Sequence, residues 1–323
     1  MPVAIIDMGT NTFHLLIAEL QGNGFQILHQ ESRAMKIGQG GISRGVLTEA
    51  ACQRTLDGLA HFRRVADQYG VPPERIVATA TSAVRSARNG PELVRDIAAR
   101  TGIRVEVISG ETEAEYIYLG VRAALPLGDA PSLIVDIGGG SVEFIIGNAG
   151  RIFWKRSFEI GAQRLLDEFV ATDPVSPASV AALRQYLGGQ LAPLTRAVGE
   201  YRPQTLVGSA GAFDTLVEIH YLRSGQEYHW AALHEAKTTE FHLPVAAFTA
   251  INRQLQTTGR AERLAIPGML ATRVDMIVVA SCLIDFLIEQ YGIPPADGFL
   301  RISSYALKEG VLQSVRERFS NKS

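Results

Sequence analysis

The chain has 323 residues, 46% hydrophobic and 20% charged, with a net charge of −2, which excludes a disordered tail or a coiled coil. It also excludes a protein that holds nucleic acid or an anionic membrane by a global positive field, so any anionic ligand has to be held by local geometry. The length suits about two domains. Cys52 and Cys282 share no spacing with histidines that would make a zinc site or a redox pair, the start carries no basic leader, and the apolar stretch Val274 to Ile288 is interrupted by Asp275 and Asp285. A cytoplasmic protein without a membrane span is expected.

Short apolar runs at Val3 to Asp7, Phe13 to Leu20 and Phe25 to Gln30, the last two separated by Gly22-Asn23-Gly24, predict an opening antiparallel meander. Helical spacing of Leu56, Leu59, Phe62, Val65, Ala66 and Tyr69 behind Thr48-Glu49 predicts a helix over 48–69, and Arg75 to Ala80 reads as a buried strand. A helix at Pro91 to Arg100, a strand at Arg104 to Ile108 and a helix from Glu111 to Ala124 follow. The alternation is that of an α/β protein with a mixed sheet.

The second half opens as the first does. Ile5-Ile6-Asp7-Met8-Gly9-Thr10-Asn11-Thr12 aligns without a gap on Ile134-Val135-Asp136-Ile137-Gly138-Gly139-Gly140-Ser141, at an offset of 129 residues. That offset fits a duplicated domain, with a Pro/Gly break at Leu125 to Asp129 before the second copy. After it come a strand around Ile152 to Ile160, a helix at Ala162 to Val170, and a long helix from Ser179 to Tyr201 kinked at Gly188-Gly189. The strand Thr205 to Ser209 breaks into small residues ahead of a helix at Ala212 to Leu222. Helices at Val245 to Thr257, Arg273 to Tyr291 and Ala306 to Phe319 complete the chain, with Asp297-Gly298 ahead of a short strand.

In each copy a buried strand ends in Asp and turns through glycine and hydroxyl residues. Such a turn can present successive amides to an anion, and a carboxylate at a strand end needs a partner or a metal. A lone Asp could merely cap its turn, but turn chemistry does not require two copies in register.

Asp7-Met8-Gly9-Thr10-Asn11-Thr12 and Asp136 through Glu143 resemble the two phosphate motifs of the actin, sugar-kinase and heat-shock-chaperone ATPase superfamily. Within it the chain resembles the exopolyphosphatase and guanosine pentaphosphate phosphatase (Ppx/GppA) family. Ala80 to Arg85, Ile108 to Ala114, Gly208 to Gly211, Arg273-Val274-Asp275 and Leu307 to Gly310 extend the resemblance over nearly the whole chain. It implies two duplicated actin-like (ribonuclease H-like) domains around an interdomain cleft: an N-terminal one over 1–125, with a C-terminal helix at 304–320 packing back on it, and a second over 126–303 with helical insertions. It also implies a Mg²⁺-dependent hydrolase acting on polyphosphate or guanosine pentaphosphate.

On this resemblance Gly9, Thr10, Asn11, Thr12, Arg85, Gly138, Gly139, Gly140 and Ser141 bind phosphate, and Asp136, Glu143 and Asp7 hold the metal. Glu113 is the base that activates water, although first-turn acids behind Ser109 also fit a helix cap, and Glu143 alone would suit an exposed strand face. Thr112 and Lys308 depart from the family's usual Glu and Arg. Gly208, Ser209 and Gly211 stand where the superfamily has its nucleoside loop. Of the seven histidines only His14 lies beside a cradle. A nucleotide-driven ATPase of the actin and chaperone kind is the alternative, a sugar kinase a third reading, and a homodimer stays open.

Overall fold

Pro2 to Met8 is apolar except for Asp7, and it becomes the central strand of a sheet. In the computed structural model, which describes residues 2–21, 24–225, 238–295 and 297–320, β1 (Pro2–Met8) pairs antiparallel with β2 (Thr12–Gln21), and β2 with β3 (Gly24–Ala34). The Gly22-Asn23 turn, His229 and His234 lie outside the described residues. On its other side β1 pairs parallel with β4 (Ile76–Ala80), and β4 with β5 (Val105–Val107). The order is β3-β2-β1-β4-β5.

Three helices lie between these strands, α1 (Glu49–Gln68), α2 (Ser82–Ser86) and α3 (Gly90–Thr101), and α4 (Gly110–Ala124) follows β5. Thr48 caps α1 by accepting the Ala51 amide at 3.2 Å, satisfying one of the first-turn donors. The apolar stripe of α1, with Leu56, Leu59 and Phe62, packs on Ile6, Met8, Phe13 and Leu15 from the sheet.

The second sheet repeats the plan. β6 (Ser132–Ile137), β7 (Val142–Gly147) and β8 (Ile152–Phe158) form the meander, and β6 pairs parallel with β9 (Thr205–Ser209). Every residue of β6 and β7 is buried, which is why both are apolar except at Ser132, Asp136 and Glu143. β10 (Glu240–Pro244) and β11 (Phe299–Ser303) complete the order β10-β11-β9-β6-β7-β8. Without β10 the connections match those of the first sheet.

Around it lie α5 (Ala162–Phe169), α6 (Pro177–Gln190), α7 (Ala192–Tyr201), α8 (Gly211–Arg223), α9 (Val245–Thr257), α10 (Arg260–Leu264) and α11 (Met276–Tyr291). The last helix, α12 (Leu307–Ser320), contacts β1 and β2. Two compact units result, Met1–Leu119 with Leu307–Ser323, and Gly120–Ala306.

Three expectations change. The helix over 179–201 is two helices meeting at Leu191, and Gly188-Gly189 lies inside α6. Pro193 sets the break, because it has no amide to donate and its ring meets the carbonyl four residues back. The helix expected from Arg273 begins at Met276, since residues 271–275 form turns. β10 was not expected: it is a short edge strand alternating buried and outward residues and ending in proline, a composition that edges tolerate.

Candidate active site

Asp136 sits at the end of β6, where its register partners are Glu143 on β7 and Ser209 on β9, and Glu143 in turn pairs with Ser157 on β8. Directly paired residues share a face of the sheet. One polar row therefore crosses four strands: Ser209, Asp136, Glu143, Ser157. The Ser209 hydroxyl donates to Asp136 Oδ2 at 2.6 Å and the Ser157 hydroxyl to Glu143 Oε1 at 2.7 Å. Asp136 is 7% exposed and Glu143 1%. Two buried carboxylates side by side repel each other and cost desolvation unless a proton or a cation is shared.

A hard divalent cation fits that donor set. Among the described residues no group of three or more His, Cys, Asp or Glu is placed to hold a metal ion. Mg²⁺ does not need one, because it takes one or two carboxylates and fills its octahedron with waters and substrate phosphates. Asp136 and Glu143 would hold it.

The cradle after β6 is oriented by its carbonyls. Those of Gly138, Gly139 and Gly140 accept the amides of Ala162 at 2.9 Å, Gln163 at 2.9 Å and Gly161 at 3.1 Å. In a trans peptide the N–H points opposite to the C=O. The amides of Gly139, Gly140 and Ser141 are thus turned to the other side, the orientation an anion nest of successive N–H groups requires.

The first unit holds the matching row. Thr79, Asp7, His14 and Ser32 occupy the register positions of Ser209, Asp136, Glu143 and Ser157. His14 Nδ1 lies 2.7 Å from the Ser32 hydroxyl. The repeat keeps the aspartate and replaces the glutamate by histidine, so this row has one carboxylate where the other has two. Here too cradle carbonyls are taken: Thr10 accepts the Gly38 amide at 3.2 Å, and Asn11 accepts those of Met35 at 2.8 Å and Lys36 at 2.9 Å.

Glu113 and Arg85 come together in the same unit. Ser109 caps α4 by accepting the Thr112 amide at 3.1 Å, and the two hydroxyls lie 2.9 Å apart; Thr112, where the family often has Glu, serves the cap. One turn in, Glu113 is 6% exposed. Arg85, at the end of α2, donates to Glu113 Oε2 at 2.9 Å and to the Ile108 carbonyl at 3.2 Å. Lys308 meets the buried Glu309 at 2.8 Å.

Packing accounts for the small residues of the Gly208–Gly211 loop. A Cβ on Gly208 would stand 2.2 Å from the Phe213 ring, and one on Gly211 would meet the Arg273 guanidinium at 2.5 Å. Ser209, in the position of the superfamily's nucleoside loop, gives its hydroxyl to Asp136. Ser157 went unnoticed in the sequence, because a single serine in an edge strand acquires meaning only once the register with β7 is known.

Two ribonuclease H-like sheets of one plan, each carrying a carboxylate and a phosphate-type turn at the same strand end, define a two-domain protein of the actin-like fold. The chain belongs to the Ppx/GppA phosphatase family, whose model matches residues 16–319. An exopolyphosphatase from Cytophaga hutchinsonii is 42% identical, with a TM-score of 0.92 and 98% of both chains covered. The Aquifex aeolicus family member is 25% identical, with a TM-score of 0.78 and again 98% of each chain. Exopolyphosphatase 2 of Mycobacterium tuberculosis is 29% identical over 97% of this chain and 98% of its own. Among the described residues no helix is long and apolar enough to cross a membrane.

Proposed function

We propose that the protein is a Mg²⁺-dependent exopolyphosphatase that removes the terminal phosphate from linear polyphosphate, with guanosine pentaphosphate as a second substrate of the same chemistry. The observation that carries this reading is the buried Asp136–Glu143 pair beside an amide nest, a place for a hard cation and phosphoryl oxygens together. The relatives from Cytophaga hutchinsonii and Mycobacterium tuberculosis, both named exopolyphosphatases, support polyphosphate as the first substrate to try.

Bound at these carboxylates, the metal would neutralise charge on the phosphoryl oxygens. In the second unit the amide and hydroxyl donors of Gly138–Ser141 hold further oxygens, and Gly9–Thr12 is the corresponding turn of the first unit. Glu113 takes a proton from the attacking water as its oxygen bonds to phosphorus. The bridging P–O bond breaks and its electron pair leaves with the shortened chain. Arg85 orients Glu113 through its hydrogen bond to Oε2, and its charge favours a phosphate oxygen nearby.

The test is phosphate release from polyphosphate with Mg²⁺ and no nucleotide, with guanosine pentaphosphate and ATP assayed in parallel. Release from polyphosphate is expected. Turnover of ATP with none from either other substrate would overturn the reading in favour of a nucleotide-driven switch.

A further inference from the structure

We propose that Arg164 is a positioning residue for the second phosphate cradle. Its Nε donates to the Gly140 carbonyl at 2.8 Å, and its Nη2 is held by Glu159 Oε2 at 2.9 Å. Gly140 O therefore receives two donors, the Gly161 amide and the guanidinium. The peptide they fix is the one whose N–H belongs to Ser141, the last amide of the nest.

The approach is close enough to be built in. A Cβ on Gly161 would lie 2.4 Å from the backbone of Gly139 and Gly140. The first donors of α5 are thus spent on the cradle's carbonyls and do not face a ligand. Because N–H and C=O of one peptide are antiparallel, every donor placed on these carbonyls aims an amide at the anion.

The first unit has the same device in another form. After β3, the amides of Met35, Lys36 and Gly38 take the carbonyls of Asn11 and Thr10. Arg54 of α1 then fixes that segment, donating to the Met35 carbonyl at 2.9 Å and the Lys36 carbonyl at 3.1 Å. In both halves the segment after the third strand clamps the turn between the first two, and an arginine closes the clamp.

The functional side of this proposal rests on the cradle being a phosphate site, while its structural side can be read without substrate. Arg164→Ala is expected to raise KM for tripolyphosphate roughly tenfold, about the worth of one charge-assisted hydrogen bond, with kcat within about threefold and the Mg²⁺ midpoint unmoved. Arg164→Lys should fall between, since an ammonium keeps one bond but loses the fork. Hydrogen exchange on the substrate-free protein should show faster exchange over 161–164 in Arg164→Ala, and a smaller change of the same sign in Glu159→Gln, which keeps the guanidinium. Unchanged exchange and unchanged KM overturn the proposal, as does a fall in kcat at constant KM, which would mean contact with the transition state. If the wild type releases no phosphate from any substrate, the proposed function fails, and the exchange result alone decides the clamp.

Discussion

Glu113 is buried, engaged by Arg85 and fixed one turn inside a capped helix, which are the conditions for a carboxylate held in a single orientation. Glu113→Gln should leave the fold and substrate binding nearly intact while lowering kcat by on the order of 10²–10⁴, read as phosphate release at saturating polyphosphate. Turnover close to wild type would remove it from the mechanism. In the other unit, Asp136→Asn should raise the Mg²⁺ concentration needed for half activity, and Ser209→Ala should do so by a smaller factor, since it removes the hydroxyl that holds Asp136 Oδ2 and leaves both carboxylates. Equilibrium binding of Mn²⁺ followed by electron paramagnetic resonance gives the same comparison without turnover. Much of this site was legible in the sequence, because a strand end, a turn and a hydroxyl recur in fixed order at Asp7 and Asp136. The Arg85–Glu113 pair and the serine ends of the carboxylate row were not. They join residues 28, 73 and 14 positions apart, and only the packing of α2 against its neighbours and the strand register bring those together.

At the level of elements, local rules succeeded where local chemistry decides and failed where a neighbour does. Thr48 is a cap readable from residue type, accepting the amide of Ala51, whereas β10 exists because β11 is there to pair with it. That edge pairing carries a charge signature. Burial would raise the Glu240 carboxyl, but the hydrogen bonds and charges of Arg301 and His242 outweigh it and hold the carboxyl below its ordinary range. A depressed folded value means stability that is present above the unfolded carboxylate pKa and lost as pH falls through the folded one. Arg301→Met should therefore lower Tm near neutrality, with the gap to wild type narrowing as the pH is brought below about 4, near the unfolded glutamate value. A gap that stays constant across that range would assign the loss to packing and to the Arg301–Pro126 hydrogen bond.

On the scale of the whole molecule, duplication gives each half its own sheet and its own core, one around Phe13 and Phe62, the other around Phe144, Phe213 and Phe248. The duplication was visible in sequence only across the hairpin from Ile5 to Ile17 and its copy from Ile134 to Ile146, because strands further on need little more than apolar bulk and diverge freely. Two cores imply two cooperative blocks whose stabilities can be moved separately. Trp154 lies on β8 of the second unit, so in a Trp230→Phe background the tryptophan fluorescence follows that block while far-UV circular dichroism follows both. Phe62 is fully buried under the first sheet, and Phe62→Ala should cost about 3–5 kcal/mol, a large part of the stability of one domain. In a urea titration the dichroism of this variant should gain an early phase, while the tryptophan transition keeps the wild-type midpoint. If both signals instead move together to lower urea, the halves unfold as one cooperative block, and the first core is needed to hold the second.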